Sequence, residues 1–326
     1  MRKACLLAII GLLCAAVADC QTTDVGFRVM HIAGRVVAVW YPTTARPHKH
    51  AYTSSFSGDV APDSAPSTVS GKRVPLVVFS HGDFGCGTQS IAFTEELARH
   101  GYVVAAPDHA DASICHIIPP VTRSKPAPQP SVFKPETWDD KTFADRRADI
   151  EAVIDGLVAN SEFARVIDSE RIGAAGHSLG GYTVVGMAGG WPSWTDSRIR
   201  AVLAFSPYVM PFQIQKTLGN VHVPLMYQGG TLDVGITPFL TGSKGAYAEA
   251  NPPVYFMELR RAGHLAWVNC GRARTTATCI ANNANMRLID DYGIAFLNRY
   301  LKGTEEPTLD RKAAGLADYV AKRVNP

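Results

Sequence analysis

Arg171-Ile172-Gly173-Ala174-Ala175-Gly176-His177-Ser178-Leu179-Gly180-Gly181-Tyr182 reads as a short apolar strand, a sharp turn and the start of a helix. Inside it, Gly176-x-Ser178-x-Gly180 has the spacing of a serine held at the tip of a strand-to-helix turn. Such a turn is strained, and a side chain at either flanking position would meet the neighbouring strand or helix. The hydroxyl is left exposed above the sheet. The Leu179 N–H then lies at a helix N-terminus, where the dipole favours negative charge. A bare pattern of this kind also arises by chance as a glycine-rich turn. Here the strand before it and the helix expected over Tyr182 to Ala188 supply the context that a nucleophilic serine requires.

Working outward, apolar runs alternate with helical spacing. Val74 to Phe79 is a continuous apolar run, as in a strand buried on both faces, and it ends in Ser80-His81-Gly82-Asp83-Phe84-Gly85. Thr88 to His100 has helical spacing with Gly101 as its C-cap, and Tyr102 to Ala106 is the next strand, closed by Pro107-Asp108-His109. Asp139 to Val158 reads as an amphipathic helix. Arg200 to Phe205, Val223 to Gln228 and Val254 to Leu259 are three further strands. Asn285 to Leu301 reads as a helix, and Asp310 to Arg323 as another. The alternation predicts an α/β fold: a mostly parallel central sheet with helices on both faces. Phe27 to Trp40 is expected to form antiparallel strands at a sheet edge. Residues 43 to 72, rich in Ser, Thr, Pro, Ala and Gly, are expected to form a surface loop. The six prolines between residues 117 and 136 exclude an inner strand there and predict an excursion near the mouth of the site. No internal repeat or linker divides the chain, so residues 19 to 326 are expected to form one domain carrying that insertion.

The 326 residues are 46% hydrophobic and 19% charged, enough for a sizeable core, and the net charge of +3 carries no long basic run. Nothing points to a nucleic-acid partner. Arg2 and Lys3 precede an apolar run of 15 residues, Ala4 to Ala18, ending in Ala16-Val17-Ala18. That is the layout of a cleaved export signal over residues 1 to 18, and it is short for a membrane span, which needs about 20. Lipoprotein anchoring at Cys20 is the weaker alternative, because Asp19 is a poor residue for that processing. Four cysteines remain in the body, and an even number in an exported chain suggests two disulfides with three possible pairings. The pairing proposed is Cys270–Cys279 beside the histidine below, with Cys86–Cys115 joining the loops after two neighbouring strands. No cluster has metal-ligand spacing, so no metal site is expected.

A serine hydroxyl needs a base within hydrogen-bond reach, and the base needs an orienting acid. Asp233 follows the run Val223 to Gln228, and His264 follows Val254 to Leu259; His264 is the only histidine beyond Asp233. The order Ser178, Asp233, His264 is the order of an α/β-hydrolase triad. The oxyanion donors expected are the N–H groups of Leu179 and Asp83, with Phe84 as the fallback for Asp83. An aspartate at that place requires its carboxylate to point away. Phe84, Tyr208 and Trp267 are candidate pocket walls, Trp191 and Trp194 divide between pocket and core, and Asp108 and His109 are read as holding their own loop.

Val39-Trp40-Tyr41-Pro42, Phe79-Ser80-His81-Gly82, Ala106-Pro107-Asp108-His109 and Gly176 to Thr183 together resemble the predicted dienelactone hydrolase family. That family is related to the platelet-activating factor acetylhydrolases within the α/β-hydrolase superfamily. The resemblance spans roughly Phe27 to Leu301 and implies a serine ester hydrolase. Two departures qualify it. True dienelactone hydrolases use a cysteine nucleophile, where this chain has Ser178. The plasma-type acetylhydrolases carry their acid just after the strand that follows the elbow, where this chain reads Phe205-Ser206-Pro207; Asp233 is left as the acid. The region of His264, Cys270 and Cys279 also resembles the bacterial cutinase-like polyester hydrolases, more weakly.

The expectation is an exported serine hydrolase cleaving small carboxylic esters through an acyl-serine intermediate. No cofactor is implied, and no pattern speaks to the oligomeric state. A cutinase-like polyester hydrolase, a non-catalytic binding protein, and a cofactor-free haloperoxidase or lyase on the same fold are the competing readings.

Overall fold

The computed structural model describes residues 22–53, 55–113, 129–270 and 274–323. The expected export signal, Cys5, Cys14, Cys20, Cys115 and the first part of the proline-rich insertion lie outside the described residues. Eleven strands form one sheet: β1 Asp24–Ile32, β2 Arg35–Thr43, β3 His48–Ala51, β4 Ser57–Pro62, β5 Val74–Ser80, β6 Val103–Pro107, β7 Ile167–His177, β8 Ile199–Phe205, β9 Leu225–Gly230, β10 Val254–Leu259 and β11 Leu316–Lys322. The helices are α1 Ile91–Arg99, α2 Ala144–Ala159, α3 Leu179–Val185, α4 Met210–Gln215, α5 Thr237–Leu240, α6 Ala246–Glu249, α7 Thr276–Asn282 and α8 Ala284–Leu297. Strand order across the sheet is β11-β10-β9-β8-β7-β5-β6-β2-β1-β4-β3. The six strands from β6 to β10 along that order are parallel, while β2 and β11 join antiparallel at either side.

The period-2 alternation of the strands divides two cores. Leu76 and Val78 of β5 face one layer with Ile150, Val153 and Leu157 of α2 and Tyr182 of α3. Val77 and Phe79 face the other, with Phe93 and Leu97 of α1 and Tyr292 and Phe296 of α8. Every residue of β5 is buried, as a strand covered on both faces requires. This is the α/β-hydrolase fold, and its parallel strands deliver their carboxyl ends to one rim of the sheet.

Two expectations are corrected. Residues 43 to 72 are not only loop: β3 and β4 pair antiparallel there, and β4 joins β1 in parallel. The buried positions of β4 are Ser57, Gly58, Val60 and Ala61, small residues that carry little hydrophobic signal. Gly58 is required because a Cβ there would meet the Tyr52 ring at 2.8 Å and the Glu95 carboxylate. Residues 310 to 323 do not form a helix. Pro307–Asp310 is a short 3₁₀ turn, and β11 pairs with β10. Asp318 and Val320 face solvent while Tyr319, between them, packs its ring 5.1 Å from that of Tyr292; this is strand alternation at a sheet edge.

Glu95 of α1 ties the edge hairpin to the body. Tyr52 Oη donates to its carboxylate at 3.0 Å and Thr276 Oγ at 2.9 Å, and Trp40 Nε1 donates to Tyr52 Oη at 2.9 Å. Burial raises Glu95 to about 7, against the opposing pull of Thr276, Arg99 and Tyr52. For an acid whose folded pKa is raised, the stabilising contribution is fully present below its unfolded value and is lost as pH climbs through the folded one. The expectation is that melting temperature falls between about pH 5 and 7 in the wild-type protein, and that Glu95→Gln flattens this slope. Calorimetry across that range checks it; an unchanged slope in the variant would contradict the assignment.

Candidate active site

β7 ends at His177, and Ser178 begins the turn into α3 with φ 56° and ψ −115°, a region that L residues rarely adopt. The flanking glycines are needed for space. A Cβ at Gly180 would strike the backbone of Ser80 and come 2.7 Å from the His81 carbonyl, and one at Gly176 would reach the Gly181 nitrogen at 3.0 Å. The chain therefore crosses closely over the end of β5, which brings the two loops of the site together.

Asp233 follows β9 and His264 follows β10, and both converge on Ser178. His264 Nε2 lies 2.9 Å from Ser178 Oγ, and His264 Nδ1 lies 3.1 Å from Asp233 Oδ2. Asp233 is 4% exposed. The His264 side chain is 35% exposed, which leaves a path for water to reach the base. With a carboxylate against Nδ1, the ring carries its proton there and presents Nε2 as the acceptor for the Ser178 hydroxyl.

Sequence reasoning missed Ser206. It is fully buried at the end of β8 with φ 43°. Its hydroxyl donates to Asp233 Oδ2, and its oxygen lies 2.9 Å from His264 Nδ1. One hydroxyl thus bridges the acid and the imidazole. The sequence marked this position only as lacking a carboxylate; a polar residue at the carboxyl end of the strand between those of Ser178 and Asp233 was the available signal.

His177, next to Ser178, ties two loops of the site together. It is buried, its Nε2 donates to the His264 carbonyl at 2.8 Å, and its Nδ1 accepts from Gln89 Nε2 at 3.0 Å. Burial, then the neighbouring His264, lowers it to about 3, so it stays neutral. Gln89 Oε1 in turn accepts the Gly82 N–H at 3.0 Å, which links the histidine loop to the loop after β5.

In that loop, neither the Asp83 nor the Leu179 N–H donates to a protein acceptor among the described residues, and both residues border the same cavity as Ser178. The fallback donor is excluded, since the Phe84 N–H is taken by Asp111 Oδ2 at 3.1 Å. Burial and then the neighbouring Asp111 raise the Asp83 carboxyl, which favours its uncharged form. Asp108 Oδ1 accepts the Gly87 N–H at 2.8 Å and so ties its own loop to the loop after β5.

The cavity above Ser178 has a volume of about 590 Å³, and its walls include Tyr208, Met210, Ile236, Phe239 and Phe133. Tyr208 takes the place expected of it, with its hydroxyl bonded to the Val132 carbonyl. Burial pushes that phenol up to about 12. Two pocket expectations are corrected. Trp267 is 1% exposed, lies in the core behind His177 and donates its Nε1–H to Gln228 at 2.9 Å. Phe84 is 57% exposed and does not border this cavity. Trp191 and Trp194 belong to the core. Val132, Phe133 and Pro135 bring the described end of the proline-rich insertion onto the cavity. Cys270–Cys279 is formed, with Cα atoms 5.6 Å apart. Cys86 is disulfide-bonded, and its expected partner Cys115 lies outside the described residues. Those residues contain no cluster fit to hold a metal and no helix long and apolar enough to cross a membrane.

Comparison with known proteins agrees with this class. The model of the platelet-activating factor acetylhydrolase isoform II family matches residues 46–138. Cutinase 2 of Thermobifida cellulosilytica is 26% identical over 246 residues, covering 73% of this chain and 81% of that protein. Cutinase cut1 of Thermobifida fusca is 26% identical over the same length, covering 66% of that protein. A solved structure of a ferulic acid esterase from Streptomyces cinnamoneus superposes with a TM-score of 0.62 at 19% identity, covering 89% of this chain and 94% of that one. The chain thus resembles both the acetylhydrolases and the cutinases, on the α/β-hydrolase fold.

Because Ser206 touches both the acid and the imidazole, Ser206→Ala should lower kcat on a neutral ester by about 10- to 100-fold, the value of a hydrogen bond to a charged group. KM should stay within a few-fold. Steady-state kinetics on the folded variant checks this; an unchanged kcat would remove Ser206 from the site.

Proposed function

We propose that this chain is an exported serine hydrolase that cleaves carboxylic esters through an acyl-serine intermediate. The observation that carries the reading is the Ser178–His264–Asp233 hydrogen-bond chain at the carboxyl ends of β7, β9 and β10. The likeness to cutinases and to a ferulic acid esterase supports an ester-hydrolysing serine hydrolase. The apolar leader and the Cys270–Cys279 disulfide support export.

In this mechanism Ser178 Oγ attacks the ester carbonyl as His264 Nε2 takes its proton. The new oxyanion is held by the N–H groups of Leu179, at the start of α3, and Asp83. His264 then gives the proton to the departing alkoxide, leaving the acyl group on Ser178. Water, activated by the same imidazole, attacks that acyl group and releases the acid. Asp233 holds the imidazole in the tautomer that presents Nε2 and stabilises the positive charge that forms on it.

The substrate side is apolar. Three of the nine exposed large hydrophobic residues described, Val132, Phe133 and Phe239, border the cavity beside Tyr208, Met210 and Ile236. That rim favours neutral, short or aromatic acyl groups. It also keeps a polyester substrate, as for the cutinases, as the second reading. A non-catalytic binding role would not require Ser178, His264 and Asp233 to stand within hydrogen-bond reach of one another.

Ser178→Ala or His264→Ala should each remove ester turnover by a factor on the order of 10⁶, and Asp233→Asn by about 10⁴. More than about one percent of wild-type turnover in a purified, folded Ser178→Ala protein would overturn the assignment. Across a series of aryl esters, kcat/KM should be higher for neutral acyl groups than for dianionic analogues of equal size. The reverse order would contradict the apolar reading of the rim.

A further inference from the structure

Arg146 is the third residue of α2, and its side chain is completely buried. A buried guanidinium needs strong reasons to stay, because taking the charge out of water is costly unless it is paired and hydrogen-bonded. Its partners are unusual. Nη1 donates to the His81 carbonyl at 2.6 Å, while Nη2 donates to the Gly82 carbonyl at 3.1 Å and to Asp111 Oδ2 at 2.5 Å. The fork therefore grips two successive carbonyls of the loop after β5.

The Gly82 carbonyl belongs to the same peptide group as the Asp83 N–H. A planar trans peptide points its oxygen and its hydrogen in opposite directions. Fixing the oxygen fixes where the hydrogen points. Three donors converge on this one oxygen: Arg146 Nη2, His81 Nδ1 at 2.7 Å and the Gly85 N–H at 3.0 Å. His81 is locked in that role because its Nε2 accepts the His109 N–H at 2.9 Å, so its proton sits on Nδ1. Positive charge at the oxygen end also polarises the amide and strengthens its N–H as a donor.

Asp111 completes the clamp from the other side of the turn. Burial would raise its carboxyl, but Arg146 above all holds it down to about 2, so it stays charged while accepting the Phe84 N–H. The Phe84 amide is thereby kept out of the site and the Asp83 amide left in it. Beneath the loop runs a second serine–histidine–aspartate chain. Ser80 Oγ lies 2.8 Å from His109 Nε2, and His109 Nδ1 lies 2.8 Å from Asp149 Oδ2. All three residues are buried, so this chain is scaffolding rather than a second nucleophile.

We infer that Arg146, braced by Asp111, is a positioning residue that orients the Gly82–Asp83 peptide so that the Asp83 N–H faces the oxyanion formed on the Ser178 adduct. The inference rests on the oxyanion assignment made under the proposed function.

The test uses the full chain and the variant Arg146→Lys, which keeps a charge but cannot fork across two carbonyls. Three quantities are compared with wild type: kcat and KM on a neutral aryl ester, the Ki of an aryl trifluoromethyl ketone that forms an oxyanion on Ser178, and the Ki of the matching ether, which forms none. Complete labelling of Ser178 by a fluorophosphonate after long incubation certifies an intact site. The expected result is a loss in kcat of about 100-fold, the usual cost of one oxyanion donor, with KM within about threefold. Ketone affinity should fall by a similar factor, while ether affinity is unchanged. A folded Arg146→Lys protein whose kcat and ketone affinity stay within threefold of wild type overturns the inference. So does a variant that loses ether and ketone binding alike, since that is general collapse of the pocket. If Arg146→Lys does not fold, Asp111→Asn decides. It removes the brace but keeps an acceptor for Phe84, and it should cost about tenfold in kcat and ketone affinity but not in ether affinity, with no loss in either overturning the inference. A wild-type protein that no fluorophosphonate labels would instead defeat the serine-hydrolase reading itself, a separate outcome.

Discussion

A serine at φ 56° and ψ −115° persists only where its surroundings over-determine it, at a local cost of about 1–3 kcal/mol. Around Ser178 the determination comes from close backbone contact. Its own N–H bonds to the Phe205 carbonyl at 2.9 Å, and its carbonyl receives the N–H groups of Tyr182 and Tyr208, each at 3.1 Å. Gly180 lies directly against the end of β5. This one crossing sets the distance between α3 and the loop after β5, and with it the spacing of Leu179 and Asp83, which both border the cavity.

The same rim collects the rest of the site through contacts that are long in sequence and short in space. Ser206 joins the ends of β8 and β9 to the histidine loop. His177 carries the His264 backbone, and Gln89 carries both His177 and the Gly82 amide. His264 is thus steadied through its ring by Asp233 and Ser206 and through its backbone by the elbow. Its opposite side stays open to water. Tyr208, which continues from the same turn as Ser206, forms one wall of the cavity, so the residues that hold the base and those that shape the pocket share one segment.

Legibility in the sequence followed how local each signal was. The elbow turn and the apolar run Val74 to Phe79 of β5 are written in short stretches, and each was readable. Gly101 could be read as a helix stop because its need for positive φ is local; it adopts φ 76°. Gln89 and Arg146 were not readable, because their roles exist only across separations of 88 and 65 residues. β4 was hidden because its buried positions are filled by small residues against Glu95 and Tyr52, and β11 because its polar alternation at a sheet edge resembles a weak helix. Trp267 was misplaced for a related reason. Proximity to His264 along the chain suggested the pocket, whereas its indole faces Gln228 in the core.

The proposed mechanism requires a covalent acyl group on Ser178. The most direct measurement is rapid acid quenching of the protein during the first turnover of a neutral aryl ester, followed by peptide mass mapping. The expected result is an added acyl mass on the peptide containing Ser178, rising in step with the burst of released phenol and disappearing as the acid product accumulates. A burst with the acyl mass on another residue, or turnover with no acylated peptide in the burst interval, would contradict it.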